Sequence, residues 1–253
     1  MVKNNFKLML VLVLALVYSL SVILLETYAD PAGASITDNA TVSGASSPTS
    51  RADAGGTITT MIINATQQNP AWKAYVGNIS GSLKLSDSSG FSIYEWSLNV
   101  SVVTGEVYAT RASSPEWSNI TCANRTTVIS TEQTNLSMAS GDNDNINFTF
   151  SENIHDALEV AGTLIGPNNC SSIATYVNGT AQTYNSTSRP DFQELLLEDN
   201  TNLIYVSILE IDAYSYNNNI SLNRTNDFQM IVGDDASSAY HTTYYFFAEL
   251  DAT

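Results

Sequence analysis

Short runs of β-branched and aromatic residues recur along the chain from Thr57 to Leu250, and several of them alternate with polar residues. Alternation with a period of two is typical of a strand with one buried face, whereas a continuous apolar run is typical of a strand covered on both faces. Both patterns occur, so the chain is predicted to be rich in strands. The predicted strands are Thr57–Asn64, Trp72–Asp87, Phe91–Val103, Gly105–Arg111, Ile146–Phe150, Gly162–Ile165, Ile173–Val177, Phe192–Glu198, Leu203–Ile211, Phe228–Val232 and Thr242–Leu250.

Turn-forming residues separate many of these runs, and the sequence Asp-Asn-Thr-Asn at 199–202 predicts a hairpin between two of them. Leu203–Ile211 and Thr242–Leu250 are apolar at successive positions, so both are predicted to be buried on both faces. Ser113–Asn145 has few long apolar runs and is expected to be looser. His155–Val160 is predicted to form one short helical turn, and no window predicts a long amphipathic helix.

About ten short strands with turn signals between them predict an all-β fold, a single β-sandwich with Greek-key or jelly-roll-like connections. The predicted domain covers residues 57–253. Hydrophobic residues make up 43% of the chain, which is enough for a sizeable core, and the chain has the aromatic and β-branched residues that disordered chains lack.

The first 29 residues resemble an export signal. Lys3 and Lys7 precede an apolar run from Leu8 to Leu25, and small residues precede Asp30, so cleavage is expected after Ala29. The run is long enough that an uncleaved membrane anchor is the alternative. In both cases the two lysines place residues 30–253 outside the cell, and contact with a membrane is expected only through residues 8–25.

Residues 30–56 read DPAGASITDNATVSGASSPTSRADAGG and lack periodic apolar positions. This composition predicts a linker, or an arm that becomes ordered when it meets a neighbouring molecule.

The net charge of the whole chain is −16, which disfavours nucleic acid and anionic lipid as partners because both are bound by basic patches. No cofactor motif is present, and no cofactor is expected.

Asn-x-Ser/Thr sequons occur thirteen times beyond Ala29, more than twice the number that composition gives by chance. This excess favours an exported protein that carries N-linked glycans, each on an asparagine that points outward. The candidate asparagines are Asn39, Asn64, Asn78, Asn99, Asn119, Asn124, Asn135, Asn147, Asn169, Asn178, Asn185, Asn219 and Asn223.

Cys122 and Cys170 are the two cysteines, and both lie in the exported part. An even count outside the cell predicts one disulfide between them. Zinc binding is the rival interpretation. It is disfavoured because the two cysteines and two scattered histidines do not match a zinc-ligand spacing.

Candidate catalytic groups are few, and the chain is not expected to be an enzyme. His155-Asp156 could supply the base and orienting acid of a triad, but no Gly-x-Ser-x-Gly elbow accompanies them, so His155 is expected on a surface loop. His241 has no such neighbour. Four carboxylates could in principle include a glycosidase pair. They are Glu95, Glu106, Glu194 and Glu210.

The stretch from Gly141 to Asn147 alternates Asp and Asn, and its oxygens suit calcium, with Asp142 and Asp144 as the candidate ligands. Ile146 stands where an EF-hand loop has a polar ligand, and the central Gly and distal Glu are absent, so a solvated turn is favoured.

Five aromatic residues could form a sugar-stacking platform, but aromatics in sandwich strands are more often core residues. They are Trp72, Tyr75, Tyr94, Trp96 and Trp117.

Five short motifs together resemble a group of exported archaeal β-rich surface proteins of unsettled function, over most of residues 57–250. The motifs are WKAYVG at 72–77, IYEW at 93–96, GEVYATR at 105–111, FQELLL at 192–197 and DFQMIV at 227–232. The overall plan is also similar to archaeal threads and pili. That resemblance implies glycosylated β domains that polymerise by lending an N-terminal strand to a neighbour.

Three functions are compatible with these patterns. The first is a glycosylated cell-surface structural protein whose partners are copies of itself or other surface proteins. In its filament form, the arm from Asp30 and the strand Thr57–Asn64 complete a neighbour's sheet. The second is an adhesin or carbohydrate-binding module. The third is an extracellular hydrolase, which requires two carboxylates or a histidine dyad in one cleft.

Overall fold

The structure is a computed structural model. It describes residues 30–37, 39, 52, 55–56, 58, 61, 69–80, 82–86, 91–97, 104–174, 176–177, 180–181, 192–210, 213–214, 225–237 and 242–251. Its strands are β1 Ala32–Gly33, β2 Trp72–Gly77, β3 Ser82–Ser86, β4 Ser92–Ser97, β5 Thr104–Thr110, β6 Thr121–Cys122, β7 Leu158–Val160, β8 Thr163–Ile165, β9 Ser172–Ala174, β10 Tyr176–Val177, β11 Thr180–Ala181, β12 Gln193–Glu198, β13 Leu203–Ile208, β14 Ala213–Tyr214, β15 Thr225–Asn226, β16 Phe228–Gly233 and β17 Tyr245–Asp251. The helices are α1 Val128–Asn135, α2 Ile146–Thr149 and a 3₁₀ helix at Trp117–Asn119.

Among the described residues, seven antiparallel strands form the large sheet. Six follow the order β1-β17-β5-β13-β12-β6, and β9 pairs with β12 beside β6. The predicted hairpin is present, because β12 and β13 pair from Glu198↔Leu203 to Glu194↔Ser207. β13 lies between β5 and β12, and its first five residues are buried. The predicted central strand is therefore confirmed.

Successive side chains of a strand point to opposite faces of a sheet, and both faces of the large sheet are covered. On the first face, residues such as Val107, Leu196 and Tyr205 pack with α1, α2 and β16. On the second face, residues such as Tyr108 and Val206 pack with the β7–β8 hairpin and the 3₁₀ helix. Burial on both faces explains why these strands read as continuous apolar runs.

β2 and β16 form a second sheet over the first face, in register from Phe228↔Gly77 to Gly233↔Trp72. Aromatic contacts join the two layers, with the ring centroids of Tyr75 and Phe246 5.0 Å apart. The predicted all-β sandwich is confirmed. The other two-stranded pairs are β3–β4, β7–β8, β10–β11 and β14–β15.

Two predicted elements have the wrong type. Ile146–Phe150 was expected to be a strand, but residues 146–149 form α2, because the Asn145 side chain caps the first turn by accepting the Phe148 N–H over 2.9 Å. His155–Val160 was expected to be a helical turn, but it ends in the strand β7, which pairs with β8 from Leu158↔Ile165 to Val160↔Thr163.

Other expectations need a smaller correction. Ser113–Asn145 is more ordered than predicted, since it contains α1 and buries Ile129 and Leu136 completely. β17 was expected to be buried on both faces. Instead Phe247 is buried, Tyr245 is 44% exposed, and Phe246 and residues 248–250 are partly exposed, because β17 lies near the sheet edge, where a short segment of the described chain, Ala32–Ala34, bonds to its outer side. Most of the predicted strand 57–64 lies outside the described residues.

Candidate functional site

The outer edge of β17 is occupied by the start of the predicted arm. Ala32 pairs with Ala248 and Gly33 with Phe247, and the Ala34 N–H donates to the Phe246 carbonyl over 2.8 Å. Pro31 is buried, while residues 32–37 are exposed. The arm is therefore held mainly by main-chain bonds and by one buried proline ring.

The opposite edge of the large sheet is closed covalently. β6 and β9 each pair with part of β12, and a disulfide joins Cys122 in β6 to Cys170 just before β9. The two Cα atoms are 5.0 Å apart, and this pairing is the one that the sequence predicts. The disulfide therefore links the two segments that cover the outer side of β12.

His155 supports this edge from the interior. It was expected on a surface loop, but it is fully buried, because its ring satisfies backbone groups beside the disulfide. The Cys170 N–H donates to its Nε2 over 3.0 Å, and its Nδ1 lies 2.6 Å from the Asp156 carbonyl oxygen. An Nε2 that accepts and an Nδ1 that donates define a neutral imidazole with a structural role.

Seven of the thirteen sequon asparagines lie in the described residues, and six of these are exposed, as a glycan requires. The exposed asparagines are Asn39, Asn78, Asn119, Asn124, Asn135 and Asn169. Three of them lie within three residues of a disulfide cysteine, so glycans on them would surround the closed edge. The remaining candidates, Asn64, Asn99, Asn178, Asn185, Asn219 and Asn223, lie outside the described residues.

Asn147 differs from the other described sequons. It lies in α2 rather than in the predicted strand and is only partly exposed. Its main-chain N–H donates to Gln133 Oε1 over 3.1 Å, and its carbonyl accepts from Arg125 over 3.3 Å. Its side-chain oxygen is buried, with no hydrogen-bond partner among the described residues. The Asn147 side chain is thus packed where α2 meets α1.

Side chains of the large sheet meet one edge of β16. Alternate residues of a strand direct their N–H and C=O groups to the same edge. Three alternate residues of β16 form hydrogen bonds at this edge with three side chains of β12 and β13 that lie on the first face of the large sheet. These bonds run from Ser207 Oγ to the Gln229 carbonyl (3.1 Å), from the Ile231 N–H to Glu194 Oε2 (2.9 Å) and from the Gly233 N–H to the Tyr205 hydroxyl (3.3 Å). These side chains take the place of a neighbouring strand.

Glu194 is the titratable carboxyl in this row. It is fully buried, and its Oε1 has no hydrogen-bond partner in the described part of the chain. Burial raises the pKa of Glu194 well above its usual range, and the Ile231 N–H only partly opposes this effect. An unsatisfied neutral group costs roughly 1–3 kcal/mol, whereas an uncompensated buried charge costs about 3–5 kcal/mol. The neutral acid is therefore the favoured form.

The four candidate glycosidase carboxylates do not gather at one site. Glu106 is buried on the second face of the large sheet, while Glu194 is on the first face, so the sheet separates them. The Glu95 side chain lies outside the described residues. Glu210 is partly buried beyond the end of β13.

Glu106 has an acidic neighbour that the sequence does not predict. Glu249 lies directly opposite Glu106 in the β5–β17 register, and the Tyr108 hydroxyl lies within 3.4 Å of Glu106 and 3.1 Å of Glu249. Glu106 also lines a cleft of about 360 Å³ beneath Leu164. The pairing joins residues far apart in sequence, and Glu249 lies within an apolar run, so no local pattern predicts it.

The Asp142–Asp144 loop uses its oxygens within the protein. Asp142 Oδ2 accepts the Ala139 N–H over 2.8 Å, Asp144 accepts from Asn69, and the Asp144 carbonyl accepts the Trp72 indole N–H over 2.7 Å. Among the described residues, no group of three or more His, Cys, Asp or Glu side chains could hold a metal ion.

The described aromatic candidates contribute to the interior. Trp117 is buried and stacks edge-on against Tyr108 and Phe247, with centroids 5.2 and 5.3 Å away. Trp72 is partly buried and packs against Phe150. The side chains of Tyr94 and Trp96 lie outside what the structure describes.

Every helix in the described ranges is too short or too polar to cross a bilayer. Comparison of the chain with protein-family models, curated proteins and solved structures gives no match. Its function has to be inferred from its own residues.

Proposed function

We propose that this chain is an exported, N-glycosylated structural protein of the cell surface, and that its subunits assemble into filaments by donating an N-terminal strand. The observation that carries the proposal is the β1–β17 pairing. An arm from the predicted linker adds a short strand to the edge of the large sheet. We further propose that in the assembled form the arm of one copy makes this pairing with β17 of the next.

The arm is suited to exchange between copies because little besides main-chain hydrogen bonding fixes it. Its side chains beyond Pro31 are small or exposed, including Ile36 at 66% exposure. Residues 38–68, which follow the part of the arm that pairs with β17 and precede β2, could span about 100 Å if fully extended. A contact that forms within one chain can also form between two identical chains, and this exchange requires few new interactions.

The two edges of the large sheet also differ in a way that supports directional assembly. β6, β9 and the disulfide cover one edge, and exposed sequons lie beside it. In the part of the chain that the structure describes, the other edge is covered by the short strand β1 and the Ala34 N–H. An unprotected strand edge is a template for another chain. Donation at one edge only is a head-to-tail contact, and such contacts form open chains.

Two variants, each with one cysteine added to the native Cys122–Cys170 pair, test exchange directly when they are mixed. Ala32→Cys and Ala248→Cys place thiols on directly opposite residues, a spacing that a disulfide can bridge. The mature forms of the two variants are unfolded together, refolded and oxidised. A disulfide-linked heterodimer is expected on a non-reducing gel, because neither variant can form this bond within one chain.

The control mixes Ala32→Cys with Asn200→Cys, which lies in the turn of the β12–β13 hairpin, and it should give no specific heterodimer.

A second pair of variants tests the main-chain hydrogen bond between Ala34 and Phe246. Ala34→Pro removes the N–H that donates to Phe246, whereas Ser35→Pro removes an N–H on the alternate side of the strand. Ala34→Pro should abolish filaments seen by electron microscopy and Ser35→Pro should not. Monomers under every condition, with no heterodimer, would refute strand donation.

A further inference from the structure

The second sheet is attached to the large sheet through a row of buried polar contacts, and one member of that row can bind a proton. Ser207 and Tyr205 offer hydroxyl groups to the edge of β16, and Glu194 offers a carboxyl. A hydroxyl keeps its hydrogen-bonding role over the ordinary pH range. A carboxyl changes its charge and loses its only donor hydrogen when it is deprotonated.

We propose that Glu194 is a buried proton-binding site, which holds its proton in the folded domain and loosens the β2–β16 sheet from the large sheet when the proton is lost.

The surroundings of Glu194 contain little that could stabilise an anion. The strands that adjoin it are β9, β13 and β16, and none of them contains a Lys, Arg, Asp, Glu or His residue. Within the described ranges, the Ile231 N–H donates to its Oε2, while its Oε1 has no partner. A carboxylate in such a place is held by one hydrogen bond and is otherwise removed from water.

The nearest titratable group on those strands is the Tyr205 hydroxyl, which does not supply a positive charge. Burial raises the pKa of Tyr205, and the negative charges of Glu132 and Glu194 raise it further. Arg111 is an exposed cation whose charge lowers the pKa of Tyr244, and it forms an ion pair with Glu132 at 3.0 Å. Burial likewise raises the pKa of Tyr244, which packs against Tyr205. Neither tyrosine supplies a positive charge that could stabilise the Glu194 anion.

The sign of the pH effect follows from linkage. A carboxyl with a raised pKa in the folded state binds its proton more tightly there than in the unfolded chain. Its contribution to stability is complete below the ordinary glutamate pKa of about 4.3 and is lost as the pH rises towards the folded-state pKa. Asp199 and Asp234, whose pKa values are lowered, act in the opposite direction and only at lower pH.

The test measures unfolding by denaturant from pH 4 to pH 9 in the full mature chain. In the wild-type protein, Glu194 should raise the unfolding equilibrium constant by up to about tenfold per pH unit above the ordinary glutamate pKa. Glu194→Gln keeps the acceptor for the Ile231 N–H but cannot ionise, so this part of the pH dependence should disappear. Hydrogen exchange at Ile231, corrected for its intrinsic pH dependence, should become faster with rising pH only when Glu194 is present.

Two variants separate proton binding from structural support. Ser207→Ala breaks the neighbouring bond to Gln229 without removing a titrating group, so it should lower stability equally at every pH. Glu116→Gln changes an exposed carboxyl and should leave the profile unchanged. If Glu194→Gln keeps the wild-type pH slope, the proposal is wrong.

A measurement on the wild-type protein covers the case in which Glu194→Gln does not fold. Carboxyl-carbon NMR of glutamate-labelled protein should show a glutamate that stays protonated after the exposed ones have ionised and also after Glu132, whose pKa burial raises but whose ion pair with Arg111 opposes that effect. Infrared spectra should retain the carbonyl band of a protonated acid over the same range. If every glutamate ionises together near the ordinary pKa, the inference is overturned.

Discussion

At the scale of single residues, polar side chains satisfy backbone groups that no strand or helix reaches. Burial alone would raise the pKa of Asp199, but hydrogen bonds from Asn202, Thr201 and a further main-chain N–H lower it below its ordinary value. Glu194 is also buried, yet it receives only one main-chain N–H. Glu194 is the more deeply desolvated carboxyl and has the fewer donors, and both differences favour its neutral form.

Gly105 allows a close approach that a larger residue would prevent. Its φ is 138°, and a Cβ built there would overlap the carbonyl oxygen of Glu249 on the adjacent strand β17. Gly105→Ala should therefore lower the free energy of unfolding by about 2–4 kcal/mol, through backbone strain and displacement of β17. Denaturant unfolding followed by circular dichroism measures the change.

Gly141 provides the matched control for that substitution. A Cβ there would meet nothing within 4 Å, and its φ is not positive. Gly141→Ala should therefore change stability by less than about 1 kcal/mol. Equal effects of the two substitutions would show that the β5–β17 approach does not require glycine at 105.

At the scale of elements, sequence patterns predict strands well where tertiary contacts agree with local periodicity. The β12–β13 hairpin is predictable because apolar runs flank a polar turn in which Asp199 accepts main-chain N–H groups from Thr201 and Asn202. Ile146–Phe150 looks like a strand from its apolar residues alone. It folds as a helix because Asn145 supplies an N-cap, and Ile146 and Phe150 pack in the same core cluster as α1 while Phe148 is exposed.

The candidate sites also differ in how far the sequence predicts them. The disulfide follows from an even cysteine count in an exported chain, and the arm follows from composition. The role of Glu194 could not be predicted, because it depends on the free edge of β16 meeting β12, and those residues lie far apart in sequence. The Glu106–Glu249 pair has the same origin in long-range strand pairing.

The disulfide should stabilise the element pair that covers β12. Cys122 and Cys170 are separated by 48 positions, and closing a loop of that size contributes about 4 kcal/mol in the chain-entropy account. Reduction should lower the free energy of unfolding by about that amount and increase hydrogen exchange at Leu195 and Leu197. The double variant Cys122→Ser with Cys170→Ser should lose the same stability and then show no further response to reductant. A loss below about 1 kcal/mol would contradict this role.

At the scale of the whole molecule, the described sequons are distributed unevenly. Asn119, Asn124 and Asn169 lie near the closed edge, and Asn135 ends α1 on the first face. No sequon falls within β17; Asn39 lies in the arm, and Asn78 directly follows β2. Under the proposed function, glycans would shield the closed edge and leave the β17 edge available for another subunit.

Glycan mapping of the native protein tests this arrangement. We expect modification at Asn135, which is exposed, and none at Asn147, whose side-chain oxygen is buried and whose backbone is held by Gln133 and Arg125. Glycopeptide mass spectrometry measures both sites in one digest. Asn135→Gln should reduce the intact mass by one glycan, whereas Asn147→Gln should leave the glycan mass unchanged. A glycan on Asn147 would mean that the contact between α1 and α2 opens before or after folding, and the compact arrangement around α2 would then be wrong for the native protein.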